Sequence, residues 1–183
     1  MKTIGLCTHF METDEWAFDY AFNLARSRGW QLTICHWLAS PYKIRRDIVH
    51  DDLFKPTGTV TVTPELLNKF ELQLRQYYEP KLGDFTEVAF KLCEGAYQVE
   101  LVRCFRQSLL DLVVMGYQLP PEDAHAGERP LEEFAASLQY PLIIVGLDGP
   151  GSFLLNHKAS EMLDQLGLPE GSWKVIQPVL AHS

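Results

Sequence analysis

The sequence predicts an α/β protein: a five-stranded, mainly parallel sheet with helices on both faces, followed by a C-terminal α/β extension. Three observations predict it. Short apolar runs recur between stretches of helical period, which is the signature of strands alternating with crossover helices. Those runs are continuous rather than alternating, as strands buried on both faces require. The chain also opens with strand, helix, strand, a βαβ unit whose crossover is almost always right-handed.

The elements follow in order. Thr3 to His9 is a short apolar strand, and Thr13-Asp14-Glu15 supplies a capping hydroxyl and two acids for the first turn of a helix. Ala17, Tyr20, Ala21, Leu24 and Ala25 continue that helix at i, i+3, i+4, i+7 and i+8, and Arg26, Arg28 and Gly29 close it. Gln31 to Leu38 is the second strand. Periodicity fades from Ala39 to Val62, which reads as a long loop with the positive charges of Lys43, Arg45 and Arg46. Thr63-Pro64-Glu65 places a cap, an N1 proline and an acid in succession, and Leu67, Phe70, Leu74 and Tyr77 carry a second helix to Pro80. Phe85 to Cys93, Tyr97 to Leu109 and Leu112 to Met115 read as strand, helix, strand. An acidic loop with Pro120-Pro121-Glu122-Asp123 leads to a short helix from Pro130 and a last core strand, Pro141 to Val145. Residues 1–146 form the α/β domain. Residues 147–183, with a helix over Asn156 to Leu166 and a strand-like Trp173 to Val179, form an extension too apolar to stay solvated; it packs on the domain or on a dimer partner.

Composition narrows the function classes. Of 183 residues, 16 are Lys or Arg against 24 Asp or Glu; the formal net charge of -8 opposes general attraction to nucleic-acid backbones or anionic membranes. No apolar run is long enough to span a bilayer, and the first residues lead into a strand rather than an export signal, so the expected location is the cytoplasm. Cys7, Cys35, Cys93 and Cys104 form no Cys-x-x-Cys pair and no zinc spacing; they read as small buried hydrophobes in a reducing compartment, with a redox role as the alternative.

Several segments resemble the universal stress protein family. Asp111-Leu112-Val113-Val114-Met115-Gly116 is similar to its fourth strand, Glu94-Gly95 precedes the third helix as there, Ile34-Cys35-His36-Trp37 resembles its second-strand ending, and Tyr140-Pro141-Leu142-Ile143-Ile144-Val145 its fifth strand. The resemblance spans residues 2–146 and implies strand order 3-2-1-4-5. In that topology a ligand lies beyond the carboxyl ends of strands 1 and 4, where the order reverses. The candidate cleft residues are His9, Phe10, His36, Trp37, Gly116 and Tyr117.

The same resemblance exposes departures. Nucleotide-binding members carry an Asp after strand 1 and a Gly-x2-Gly-x9-Gly-Ser/Thr loop after strand 4. Here His9 takes the aspartate's place, Gly116 matches the first glycine, Leu119 stands at the second, and the last pair is neither Gly-Ser nor Gly-Thr. Leu119 adds bulk where a backbone must approach phosphate, Pro120 and Pro121 remove two N–H donors, and Glu122, Asp123 and Glu128 add negative charge. Family-type ATP binding is therefore disfavoured, and no cofactor, metal or catalytic residue is assigned.

Other chemistry has plainer readings. His9 and His36 would serve acid–base work only with an acidic partner that no spacing supplies. His50-Asp51-Asp52 reads as a solvated patch and Ser152 as a turn residue, because it lies outside a strand-to-helix elbow. The leading expectation is a non-catalytic regulatory or interaction protein of the stress-response type, homodimeric through its apolar fifth strand or bound to a partner protein. The alternatives are a small-molecule or nucleotide sensor using the switch-point cleft and, third, an enzyme using His9 and His36.

Overall fold

The computed structural model describes residues 1–8, 12–37, 42–44, 60–93, 97–118 and 129–178. The central sheet is built from β1 (Thr3–Thr8), β2 (Gln31–Trp37), β5 (Val88–Cys93), β6 (Leu112–Gly116), β7 (Leu142–Val145), β8 (Phe153–Leu155) and β9 (Trp173–Val175). Their order is β5-β2-β1-β6-β7-β8-β9, so the predicted 3-2-1-4-5 order stands intact in its first five positions. Parallel pairing runs from β5 to β7; β8 then turns back antiparallel on β7, and β9 pairs parallel with β8.

Helices α1 (Glu12–Arg28) and α2 (Pro64–Leu82) bury one face of the sheet together with Ile4, Leu6, Leu32, Ile34, Val114 and Ile143. On the other face, α3 (Tyr97–Arg106) and α4 (Leu131–Ser137) cover Cys7, Cys35, Val113, Met115 and Ile144. Strand alternation sends successive residues to opposite faces, and both sets are buried; this is why the strand sequences read as unbroken apolar runs.

The structure differs from the sequence reading in four places, each for a local reason. Helix α1 starts at Glu12, so Thr13 lies inside the first turn instead of capping it. Helix α2 runs through Pro80 to Leu82, a proline in the last turn removing little of the hydrogen-bond ladder, and it ends at Gly83 with φ +60. The stretch read as loop from Ala39 to Val62 contains β3 (Tyr42–Ile44) and β4 (Val60–Val62), paired parallel as a separate two-stranded sheet; its remaining residues, with Arg45, Arg46 and His50-Asp51-Asp52, lie outside the described residues. The single helix expected from Asn156 to Leu166 divides into α5 (His157–Ser160) and a 3-10 turn over Leu163–Gln165.

The most consequential difference concerns the sheet edge. Leu142 to Val145 was expected at an edge open to a second copy, but β8 of the same chain occupies that side, Ile144 pairing with Leu154. Buried Asn156 secures the arrangement. Its Oδ1 accepts from the Leu142 and Ala159 amides at 3.0 and 2.9 Å, and its Nδ2 donates to the Tyr140 carbonyl at 2.7 Å. One side chain thus caps α5 and holds the start of β7. The outermost strands of the sheet are β5 and β9.

Candidate functional site

The chain leaves β1 toward β2 and β5 on one side and enters β6 and β7 on the other, so the strand order reverses between β1 and β6. Those two strands run in register from Ile4 opposite Leu112 to Cys7 opposite Met115, and end at Thr8 and Gly116. A crevice at such a point, beyond the carboxyl ends of the strands, is the usual ligand position in a doubly wound sheet. His9 and Phe10 lie outside the described residues, as do Leu119 to Glu128. The floor and flanks of the crevice are described.

Gly116 is required by packing. A Cβ there would fall 2.5 Å from Thr13 Oγ1 and 2.6 Å from the Thr13 carbonyl carbon, so the first turn of α1 rests directly on the end of β6. The Thr13 hydroxyl donates to the Tyr117 carbonyl at 2.9 Å, which explains why it does not cap its own helix. The Tyr117 N–H donates to the Val145 carbonyl at 2.7 Å, so both backbone groups of the first residue after β6 are bonded within the protein.

The far end of the following loop is anchored in the same manner. Buried Gln98, on α3, accepts from the Arg129 N–H at 3.0 Å and donates to the Arg129 carbonyl at 2.7 Å. Arg129 falls within the closing Gly-Ser/Thr pair of the phosphate-loop pattern that the resemblance sets out from Gly116. Its amide is committed to Gln98.

Beneath the crevice on the α1 side, Thr8 Oγ1 and Tyr78 Oη are 2.8 Å apart and both are buried. Burial pushes the Tyr78 hydroxyl well above its ordinary value of 10.0; the Thr8 hydrogen bond opposes this, and the charges of Asp14 and Glu15 add to it. His36 Nδ1 lies 3.0 Å from the Thr8 carbonyl. A carbonyl only accepts, so Nδ1 carries the proton of this hydrogen bond. His36 and Trp37, adjacent at the end of β2, face opposite ways. Trp37, 5% exposed, belongs to the cluster under α3 and α4. Tyr117 stands at the crevice mouth, its hydroxyl raised first by desolvation and then by the Glu132 carboxylate, to which it donates a hydrogen bond.

The sequence presents Asp14 only as a first-turn acid. Asp14 is only 3% exposed, although it sits in a first turn where acids ordinarily face water. The signal was present. Asp14, Ala17, Phe18, Ala21, Phe22 and Ala25 follow one helical stripe, and Asp14 is its polar end. With Glu12 and Glu15 it places three acids at the N-terminus of α1, against the partial positive charge that a helix start would offer an anion. Lys81 answers one of them, its Nζ 2.6 Å from Glu15. The end of β1 is thus surrounded by buried hydroxyls, an imidazole and a buried carboxylate. Among the described residues, no group of three or more His, Cys, Asp or Glu side chains is arranged to hold a metal ion, and no helix is long and apolar enough to cross a membrane.

A doubly wound parallel sheet with its crevice at the β1–β6 reversal defines the class of protein. Comparison with known proteins refines it. No protein-family model matches the chain, and no curated protein matches it. Among solved structures, it is similar to a universal stress protein in complex with cAMP, with 16% identity and a TM-score of 0.50 over 79% of this chain and 96% of that one. It is also similar to universal stress protein UspA from Lactobacillus plantarum, at 12% identity and TM-score 0.45 over 96% and 97% of the two chains. A universal stress protein from Archaeoglobus fulgidus matches at 17% identity and TM-score 0.42 over 65% and 77%. The fold is that of the universal stress proteins.

Proposed function

We propose that this chain is a non-catalytic regulatory or interaction protein of universal-stress-protein type, acting in the cytoplasm, that does not grip ATP in the family manner. The observation that carries this reading is the commitment of backbone donors at both ends of the loop after β6. Tyr117 N–H bonds Val145, and Arg129 N–H bonds Gln98. A phosphate cradle works by pointing such N–H groups at the ligand. The three acids at the start of α1 and the loop's prolines and acids act in the same direction. This reading keeps the homodimer, with an interface other than the β7 edge.

The second reading is a sensor whose crevice takes a small ligand with little negative charge. It is favoured by the polar cluster of Thr8, Tyr78, Asp14 and His36 about the end of β1, and by a protein of the same fold having been solved in complex with cAMP.

One experiment separates the readings: native mass spectra and thermal melts of the freshly purified chain, with and without millimolar ATP and magnesium. The expected result is a dimer mass without retained ligand and no shift in melting temperature. A ligand at about a hundred times its Kd adds roughly 2.7 kcal/mol of stability, which a melt resolves readily. A one-to-one ATP complex with a raised melting temperature would overturn the first reading, and a retained small molecule of another mass would establish the second.

A further inference from the structure

We draw no further inference here: the strongest candidate, the groove of about 480 Å³ between α1 and Gly167 of the extension, carries nothing, because its Arg26 guanidinium lies over the Phe22 ring and nothing in the structure shows what covers it.

Discussion

The two faces of the sheet are equally dry but built differently. On the α1 and α2 face, aromatic rings interlock: Phe18 stacks on Phe22 at 5.4 Å, Phe18 meets Tyr78 at 5.2 Å, and Phe22 meets Phe85 edge-on at 5.6 Å. There α1 approaches β6 at main-chain distance through Gly116. The α3 and α4 face instead contains all four thiols, with Phe105 stacked on Tyr140 at 4.6 Å. Ring packing and backbone contact make the first face a scaffold that resists any added volume. The second holds soft, polarisable sulfur, with the Lys91 ammonium 3.4 Å from Cys104 Sγ. Lys91 is tolerated there because β5 is an outer strand, so the ammonium reaches the rim while its stem covers apolar surface.

The largest expected effect tests whether both faces are sealed at the centre of the sheet. Ile143 and Ile144 are fully buried on opposite faces of β7, a strand paired on both sides. Ile143→Lys and Ile144→Lys should each lose more than about 4 kcal/mol, since neither ammonium can reach water. Urea denaturation measures this. Near-native stability of Ile144→Lys alone would show that β8 yields and that the thiol face admits solvent.

A smaller effect tests how each face accepts volume. An added Cβ at Gly116 meets the Thr13 backbone, whereas at Gly5 it meets the Leu110 side chain at 2.9 Å, which can shift. Gly116→Ala should cost about 2–3 kcal/mol and Gly5→Ala about 1 kcal/mol or less. Thermal melts would rank them, and equal losses would remove the distinction between a backbone-docked and a side-chain-docked face. Gly116 substitutions are for this reason poor probes of ligand binding.

At neutral pH the smallest effect is that of the buried thiols and tyrosines, which emerges only in alkali as a pH dependence that samples the faces in turn. Cys7 and Cys35 are raised above 9.0 on the thiol face, and Tyr78 and Tyr20, both raised chiefly by burial, lie above 10.0 on the other. The folded state keeps each proton after the unfolded chain has released it, so stability is complete below the ordinary values and falls as pH rises past them. Each group should contribute a slope of about 1.4 kcal/mol per pH unit, the thiols from about pH 9 and the tyrosines from about pH 10. Urea midpoints measured from pH 8 to 11 would show the two limbs. Cys7→Ala should flatten the first and Tyr78→Phe the second.

Two threonines show how far the sequence reaches. Thr63-Pro64-Glu65 predicts a capped helix, and Thr63 Oγ1 accepts from the Leu66 amide at 3.2 Å as expected. Thr13-Asp14-Glu15 carries nearly the same signal, but its hydroxyl is taken by Tyr117, 104 residues away. A cap depends on neighbours a few residues apart, so local chemistry foretells it unless a distant partner intervenes. The alternation of strands and helices was legible for a related reason: the βαβ opening, the period of α1 and the unbroken runs of β6 and β7 each constrain the chain within one element or its nearest connection, whereas the order 3-2-1-4-5 was implied by the family resemblance.

The site was legible only in part. The position of the crevice follows from strand order, and the chemistry opposing a phosphate cradle was visible in Leu119, Pro120, Pro121 and the acids of that loop. Their structural counterpart, the Gln98 clamp on Arg129, was not visible, because nothing near either residue announces the other. The sequence by itself determined the strands and helices of the five-stranded core, though not β3, β4 or β8, since periodicity, caps and turn residues act over short separations. Only the tertiary structure decided that β8 closes the β7 edge, that Asp14 is buried and that four dispersed cysteines share one cluster with Lys91. Register and edge occupancy set these outcomes, and both depend on pairing between segments that carry no local mark of their partner.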